Sequence, residues 1–194
     1  MTTVFDPEQI AILEVAATLF ERYGYKKTTI EDIAQEAGIG KGSVYLRFSS
    51  KEEIGIAWLQ RIHEGLFEGL ESDTAGQAPL QAVETWLSQR VMRRFDIFDR
   101  HCRSMDEALA TLKPLVDEKK AAFHAREAAH LAEKIREAEA VSDDPQSDAE
   151  MMILATNSLM PYSLRPAQLG DRDSVQRRAQ ALARLLVRAV EDRK

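Results

Sequence analysis

Cysteine is nearly absent. Cys102 stands alone among 194 residues, so the chain can form no internal disulfide and no cysteine-built zinc site. A lone thiol of this kind reads as packed and inert rather than redox-active. Long apolar runs are missing too: no stretch reaches the ~18 apolar residues that a membrane-crossing helix needs. With no basic start leading into an apolar leader and no lipidation signal, the chain is expected to be cytoplasmic and without a membrane partner. The four histidines, His63, His101, His124 and His130, are scattered. None forms the i, i+4 pair that sets two ligands on one helical face, and phosphate-loop and nucleophile-elbow patterns are absent. Neither an enzyme nor a bound cofactor or metal is expected. Basic excess is lacking as well, since 26 Lys/Arg against 32 Asp/Glu give a net charge of −6. That balance argues against a generally adhesive nucleic-acid binder.

What is present is helical periodicity, and its most informative stretch is residues 28–51. Thr29 followed by Asp32 is a capping signal, after which Ile30, Ile33, Ala34 and Ala37 recur on one helical face and Gly38 stops the helix. Lys41 to Phe48 then form a second short helix with Val44 and Phe48 turned inward. Lys41, Ser43, Tyr45, Leu46 and Arg47 stay available to a partner. Small residues at Gly40, Gly42 and Ser43 let a phosphate or base edge approach the helix N-terminus. Lys41, Tyr45, Arg47 and Lys51 suit phosphate oxygens, Ser43 suits a base or a phosphate, and Leu46 suits a thymine methyl. On chemistry alone, a DNA-binding helix-turn-helix and an ordinary surface pair of helices are equally good readings.

The order Thr-Ile-x-x-Ile-Ala-x-x-Ala-Gly, Lys-Gly-Ser-x-Tyr-x-x-Phe and Ser-Lys-Glu-Glu across this stretch resembles the N-terminal domain of the tetracycline-repressor (TetR) family of bacterial transcription regulators. The resemblance implies that Thr29 anchors the first helix of the motif to a phosphate. It also implies that Lys41, Gly42, Ser43, Tyr45, Leu46 and Arg47 meet the major groove, and that Lys51 binds a phosphate. Gly40 stands where a Ser, Thr or Asn cap is usual, a mild departure because glycine is itself an acceptable cap. Residues 1–50 carry five Lys/Arg against seven Asp/Glu, a net of −2. DNA affinity therefore demands that Lys26, Lys27, Lys41, Arg47 and Lys51 be gathered together with the acids on the far side.

Elsewhere the chain reads as helix after helix. From Glu8, the residues Ile10, Leu13, Ala17 and Phe20 mark one face of a helix that Gly24 closes. Ser50 and Glu53 form a capping box for a helix running from Lys51 to about Leu70, with Ile54, Trp58, Ile62, Leu66 and Leu70 on its apolar side. Pro79 suits the first position of a helix to about residue 99. Ser104 with Glu107 signals a cap, and Pro114 ends or restarts the helix, which then continues to about Ala140. After a polar loop at 141–148, Ser147 and Glu150 cap a helix carrying Met151, Ile153, Leu154, Leu159 and Met160. The last helix, about 173–190, repeats Val175, Ala179, Leu182, Leu186 and Ala189.

The expected fold is all-α, about nine helices: a three-helix helix-turn-helix DNA-binding domain over 1–50 and a helical effector-binding and dimerisation domain over 51–194. The last two helices, about 147–163 and 173–190, would form a four-helix seam between two copies, or else an intrachain core. Two-fold pairing suits DNA, because related recognition helices read both halves of a palindrome. The middle helices are rich in large apolar side chains that serve either as core or as pocket wall. The resemblance implies a small-molecule effector, for which Trp58, Trp86, Phe95, Phe98, His101, Met105, Phe123 and Tyr162 are the candidate lining. The expected function is a homodimeric transcriptional repressor released or engaged by a largely apolar effector. The rival is a dimeric helical interaction protein of the same fold with weak or lost DNA binding.

Overall fold

The computed structural model describes residues 5–140, 142–160 and 170–191, apart from the side chains of 100–106, 113–115 and 117–118. Every element among them is helical: α1 (Pro7–Tyr23), α2 (Ile30–Glu36), α3 (Lys41–Arg47), α4 (Lys51–Thr74), α5 (Pro79–Glu137), α6 (Pro145–Asn157) and α7 (Arg172–Glu191). None of the described helices is long and apolar enough to cross a membrane. The chain divides into two compact units, Met1–Glu64 with Arg100–Lys120, and Gly65–Asp99 with Ala121–Lys194.

In the first unit α1 starts at Pro7, one residue before the Glu8 at which periodicity places it. Asp6 accepts from the Gln9 backbone and Gln9 returns the bond to the Asp6 amide, with Pro7 at the first helical position, where its missing N–H costs nothing. The buried face of α1 is Ile12, Leu13, Ala16, Leu19 and Phe20, with Ile10 and Ala17 at its edge. Phe20 meets Tyr25 and Trp58 edge-on, ring centroids 5.1 and 5.3 Å away, the geometry that aromatic quadrupoles favour. Ile33, Ala34, Val44, Phe48 and Ile54 complete this core. Burial of each large member removes apolar area worth roughly 1.5–3 kcal/mol, which is how helices of seven residues are held.

α4 opens on a variant of the expected capping box. The Ser50 hydroxyl accepts from the Glu53 amide, but the Glu53 carboxylate returns to the amide and hydroxyl of Ser49, not to Ser50. α5 is helical over 59 residues, with Pro114 inside it, where the missing proline N–H breaks the hydrogen-bond ladder as expected. It is not one straight rod. A straight helix would put Arg90 and Glu127 about 55 Å apart, yet their side chains touch at 3.2 Å. The segment therefore doubles back between them, as separate helical pieces would.

The core of the second unit joins Phe67, Leu70, Trp86, Leu87, Leu131, Ile135, Met152 and Ile153 to Ala183, Val187 and Val190 of α7. Inside it lies a charged group. Glu127, fully buried, accepts from Arg90 Nε and Nη2 and from Arg94 Nη2 at 3.1 to 3.3 Å. Burial works to raise this carboxyl, but Arg94 and Arg90 outweigh it and hold it down at about 2. Arg90 also reaches the Thr156 hydroxyl, the Ile153 carbonyl and the Asn157 amide oxygen, tying α5 to α6. α6 itself begins at Asp144–Pro145, with Asp144 capping the amides of Gln146 and Ser147. The predicted cap at Ser147 is displaced because an aspartate followed by proline is the stronger start.

Candidate nucleic-acid interface

The turn between α2 and α3 is built for a sharp change of direction. Thr29 caps α2 through the reciprocal bonds predicted: its hydroxyl accepts from the Asp32 amide, and the Asp32 carboxylate accepts from the Thr29 amide and hydroxyl. These bonds keep the Asp32 carboxyl below its ordinary range. Gly38 takes φ 67°, which costs a glycine nothing, and the Ile39 amide closes the turn onto the Ala34 carbonyl at 3.0 Å. Gly40 caps α3 with no side-chain bond, and the Ser43 amide folds back onto the Gly40 carbonyl at 2.9 Å.

α3 then sorts its residues by face. Val44 and Phe48 are buried. Lys41, Gly42, Ser43, Tyr45, Leu46 and Arg47 are all exposed, Tyr45 by 47% and Leu46 by 84%. A single exposed leucine is ordinary protein surface, but Leu46 stands beside exposed Tyr45 and Arg47 on the same short helix. Thr29 is exposed at the start of α2, and the Lys41 ammonium lies 5.7 Å from the Tyr45 ring centre.

The expectation that the acids stand away from these cations is not met. Lys41 is ion-paired with Glu31 of α2, which holds the Glu31 carboxyl down and the Lys41 ammonium up from their ordinary values. Arg47 reaches back to α1, its Nε 2.7 Å from Glu8 and its Nη1 3.4 Å from Asp6. Three of the seven acids in residues 1–50, Asp6, Glu8 and Glu31, are thus the resting partners of Lys41 and Arg47. Such exposed pairs are weak and screened by salt, and phosphates can replace them.

Lys51 has a different setting. Its ammonium donates to the carbonyls of Tyr25, Lys26 and Thr28 at 3.1 to 3.3 Å and stands 4.8 Å from the Tyr25 ring centre. All three of its donors are turned into the α1–α2 loop. Burial first, and Glu52 second, push the Tyr25 hydroxyl up to about 12, so the ring beneath the ammonium stays neutral. Sequence reasoning missed the other anchor of this loop. Glu107, read as a partner for Ser104, instead accepts from the Lys26 amide at 3.0 Å. A sequence separation of 81 residues leaves no local signal for such a bond.

The candidate effector residues fall in both units. Trp58 packs on Phe20 in the first unit. Trp86 and Phe123 lie in the second, where Phe67 meets both edge-on and Trp86 stacks on His130 at 4.3 Å. Phe95 and Phe98 are half-buried. The side chains of His101, Cys102 and Met105, and all of Tyr162, lie outside the described residues.

A three-helix unit whose exposed second motif helix follows a glycine turn, set ahead of long helices in one chain, defines an all-α helix-turn-helix protein. Residues 12–57 match the model of the family described as bacterial regulatory proteins, tetR family. The uncharacterized HTH-type transcriptional regulator YfiR of Bacillus subtilis is 34% identical over 109 residues, covering 55% of this chain and 52% of the relative. The HTH-type transcriptional regulator RutR of Escherichia coli is 34% identical over 122 residues, covering 57% and 58%. The chain thus spans a little over half the length of the curated relatives it matches. A transcriptional regulator from Cytophaga hutchinsonii has the same fold over 96% of this chain and 100% of its own, with TM-score 0.77 and 18% identity. Residues 12–57 thus form an N-terminal domain of the tetR type.

Proposed function

We propose that the chain is a DNA-binding transcriptional repressor of the cytoplasm and not an enzyme. Residues 1–50 bind a palindromic operator, and residues 51–194 form the effector-binding and dimerisation domain. The observation that carries this reading is the exposed face of α3, with Leu46 bare between Tyr45 and Arg47 on a helix whose other side is locked by Val44 and Phe48. Thr29, Lys41, Gly42, Ser43, Tyr45, Leu46 and Arg47 meet the DNA, and Lys51 contributes by holding the loop before Thr29.

Dimerisation is supported by the last helices. α7 buries Val175, Ala179, Ala183, Val187 and Val190 within its own chain. It leaves a second apolar strip of Leu182, Leu185, Leu186 and Ala189 wholly or partly uncovered, with Leu185 64% exposed. The predicted face of α7 mixed these two strips. On α6, Met151 and Leu154 are 59% and 62% exposed. An apolar strip on each of two helices suits a four-helix seam with a second copy. The effector in this reading is a small, largely apolar molecule, with Trp86, Phe95, Phe98 and Phe123 as its described candidate contacts.

The test is selection from random double-stranded DNA by purified protein at near-physiological salt, with the mass of the complex measured. A palindrome bound by two copies is expected. Retention of no sequence by a folded dimer would overturn the reading in favour of an interaction protein.

A further inference from the structure

The loop Gly24–Thr28 carries exposed Lys26 and Lys27 and ends at Thr29, the cap of α2. It is gripped from two directions. From α4, Lys51 holds three of its carbonyls. From the Arg100–Lys120 segment, in the same compact unit, Glu107 Oε2 accepts from the Lys26 amide at 3.0 Å. The approach is close enough to dictate sequence. Gly24 caps α1 at φ 90°, and a Cβ placed there would stand 2.7 Å from Glu107 Oε2. One turn along the same segment, Leu112 presses on α4 at Gly55, where a Cβ would meet the Leu112 side chain and the Tyr25 ring at 2.8 Å each. Two glycines therefore admit this segment against the α1–α2 loop and the head of α4, and Glu107 bonds the loop's backbone there.

We infer that Glu107 is a positioning residue for DNA recognition: its carboxylate fixes the loop that sets the N-terminus of α2. An ionised carboxylate accepting a backbone N–H makes one of the stronger hydrogen bonds. Its removal leaves the Lys26 amide to water and the loop without its hold on the Arg100–Lys120 segment at this point. Glu107 touches no phosphate, so its loss lowers affinity without removing a counterion-releasing contact.

This rests on the DNA-binding reading, and its test separates the two. Full-length protein is titrated with its selected operator over a range of salt, as wild type, Glu107→Ala and Glu107→Gln. Thermal midpoints and oligomer mass are measured on each. Wild type that retains no sequence sinks the proposed function. Given a binding wild type, Glu107→Ala is expected to bind about tenfold more weakly. Its slope of log affinity against log salt should be unchanged, and Glu107→Gln, which keeps an acceptor, should recover to within about twofold. Independently, the Lys26 amide should lose protection from exchange in Glu107→Ala. Wild-type affinity in Glu107→Ala, a flattened salt slope, no recovery by glutamine, or an unprotected Lys26 amide in wild type would each overturn the inference.

Discussion

Replacing Glu31 with Gln should strengthen DNA binding. In the free protein Glu31 holds Lys41 in an exposed ion pair, the two side chains 60% and 48% accessible, and the pair keeps the carboxyl ionised. On the proposed reading, the Lys41 ammonium exchanges that carboxylate for a phosphate in the complex. Glu31 is then left charged within a Debye length, about 8 Å at physiological salt, of the DNA backbone. Glutamine removes both the competitor and the repulsion. Solvent screening limits an exposed pair to about fivefold in an equilibrium constant, and a dimer carries two. The expected gain is about three- to twenty-five-fold at ~0.1 M salt, fading toward nothing near 1 M, where the Debye length falls to about 3 Å.

The assay is fluorescence anisotropy of labelled operator across that salt range. Glu14→Gln supplies the control: it changes net charge equally but frees Arg61 of α4, not a cation on α3. Lys41→Ala completes the set. Loss of one phosphate contact in each protomer should flatten the salt slope by about 1.8. If Glu31→Gln binds no better than Glu14→Gln, or Lys41→Ala leaves the slope intact, Lys41 does not trade a carboxylate for a phosphate.

Leu185→Arg, placed on the uncovered strip of α7, should yield helical monomers that lose operator binding, read by light scattering and anisotropy. Arg90→Met removes the guanidinium that joins Glu127 to α6 and leaves a buried carboxylate half-paired. It should cost about 3–5 kcal/mol in urea unfolding. Acid should destabilise in two stages. Burial lowers His130 from its ordinary 6.5, so the unfolded state takes the proton first and stability begins to fall below about that pH. Glu127, depressed from 4.5 to about 2, contributes fully above 4.5 and loses roughly 3 kcal/mol as pH falls to about 2. In Glu127→Gln the acid stage should shrink while the histidine stage remains, as measured by thermal midpoints across pH.

The helix-turn-helix was legible because its determinants are local. The Thr29–Asp32 box spans four residues, and the inward and outward residues of α3 follow from a single helical turn. On α7 periodicity found an average of two strips, since a helix that packs on its own chain and still bares Leu182, Leu185 and Leu186 is apolar over more than one face. The charged contacts were illegible for a different reason. Glu31 and Lys41 lie ten residues apart, Glu8 and Arg47 thirty-nine, Arg90 and Glu127 thirty-seven, and Lys26 and Glu107 eighty-one. Which carboxylate a cation selects is decided by how helices pack, and each of these residues alone reads as a solvated charge.

Lys51 is where a phosphate contact and the observed geometry make opposite demands. An ammonium has three hydrogens, and those of Lys51 point at the carbonyls of Tyr25, Lys26 and Thr28. Direct contact with a phosphate would take at least one of them from the loop whose end carries Thr29, loosening one DNA contact to make another. Acting from inside the domain carries no such conflict. Lys51→Met should therefore lower operator affinity and cost roughly 1.5–3 kcal/mol of stability, the range for hydrogen bonds from a charged group, while the salt slope stays at its wild-type value. A slope flattened by about 1.8 with stability unchanged would return Lys51 to the DNA surface as a phosphate ligand in each protomer.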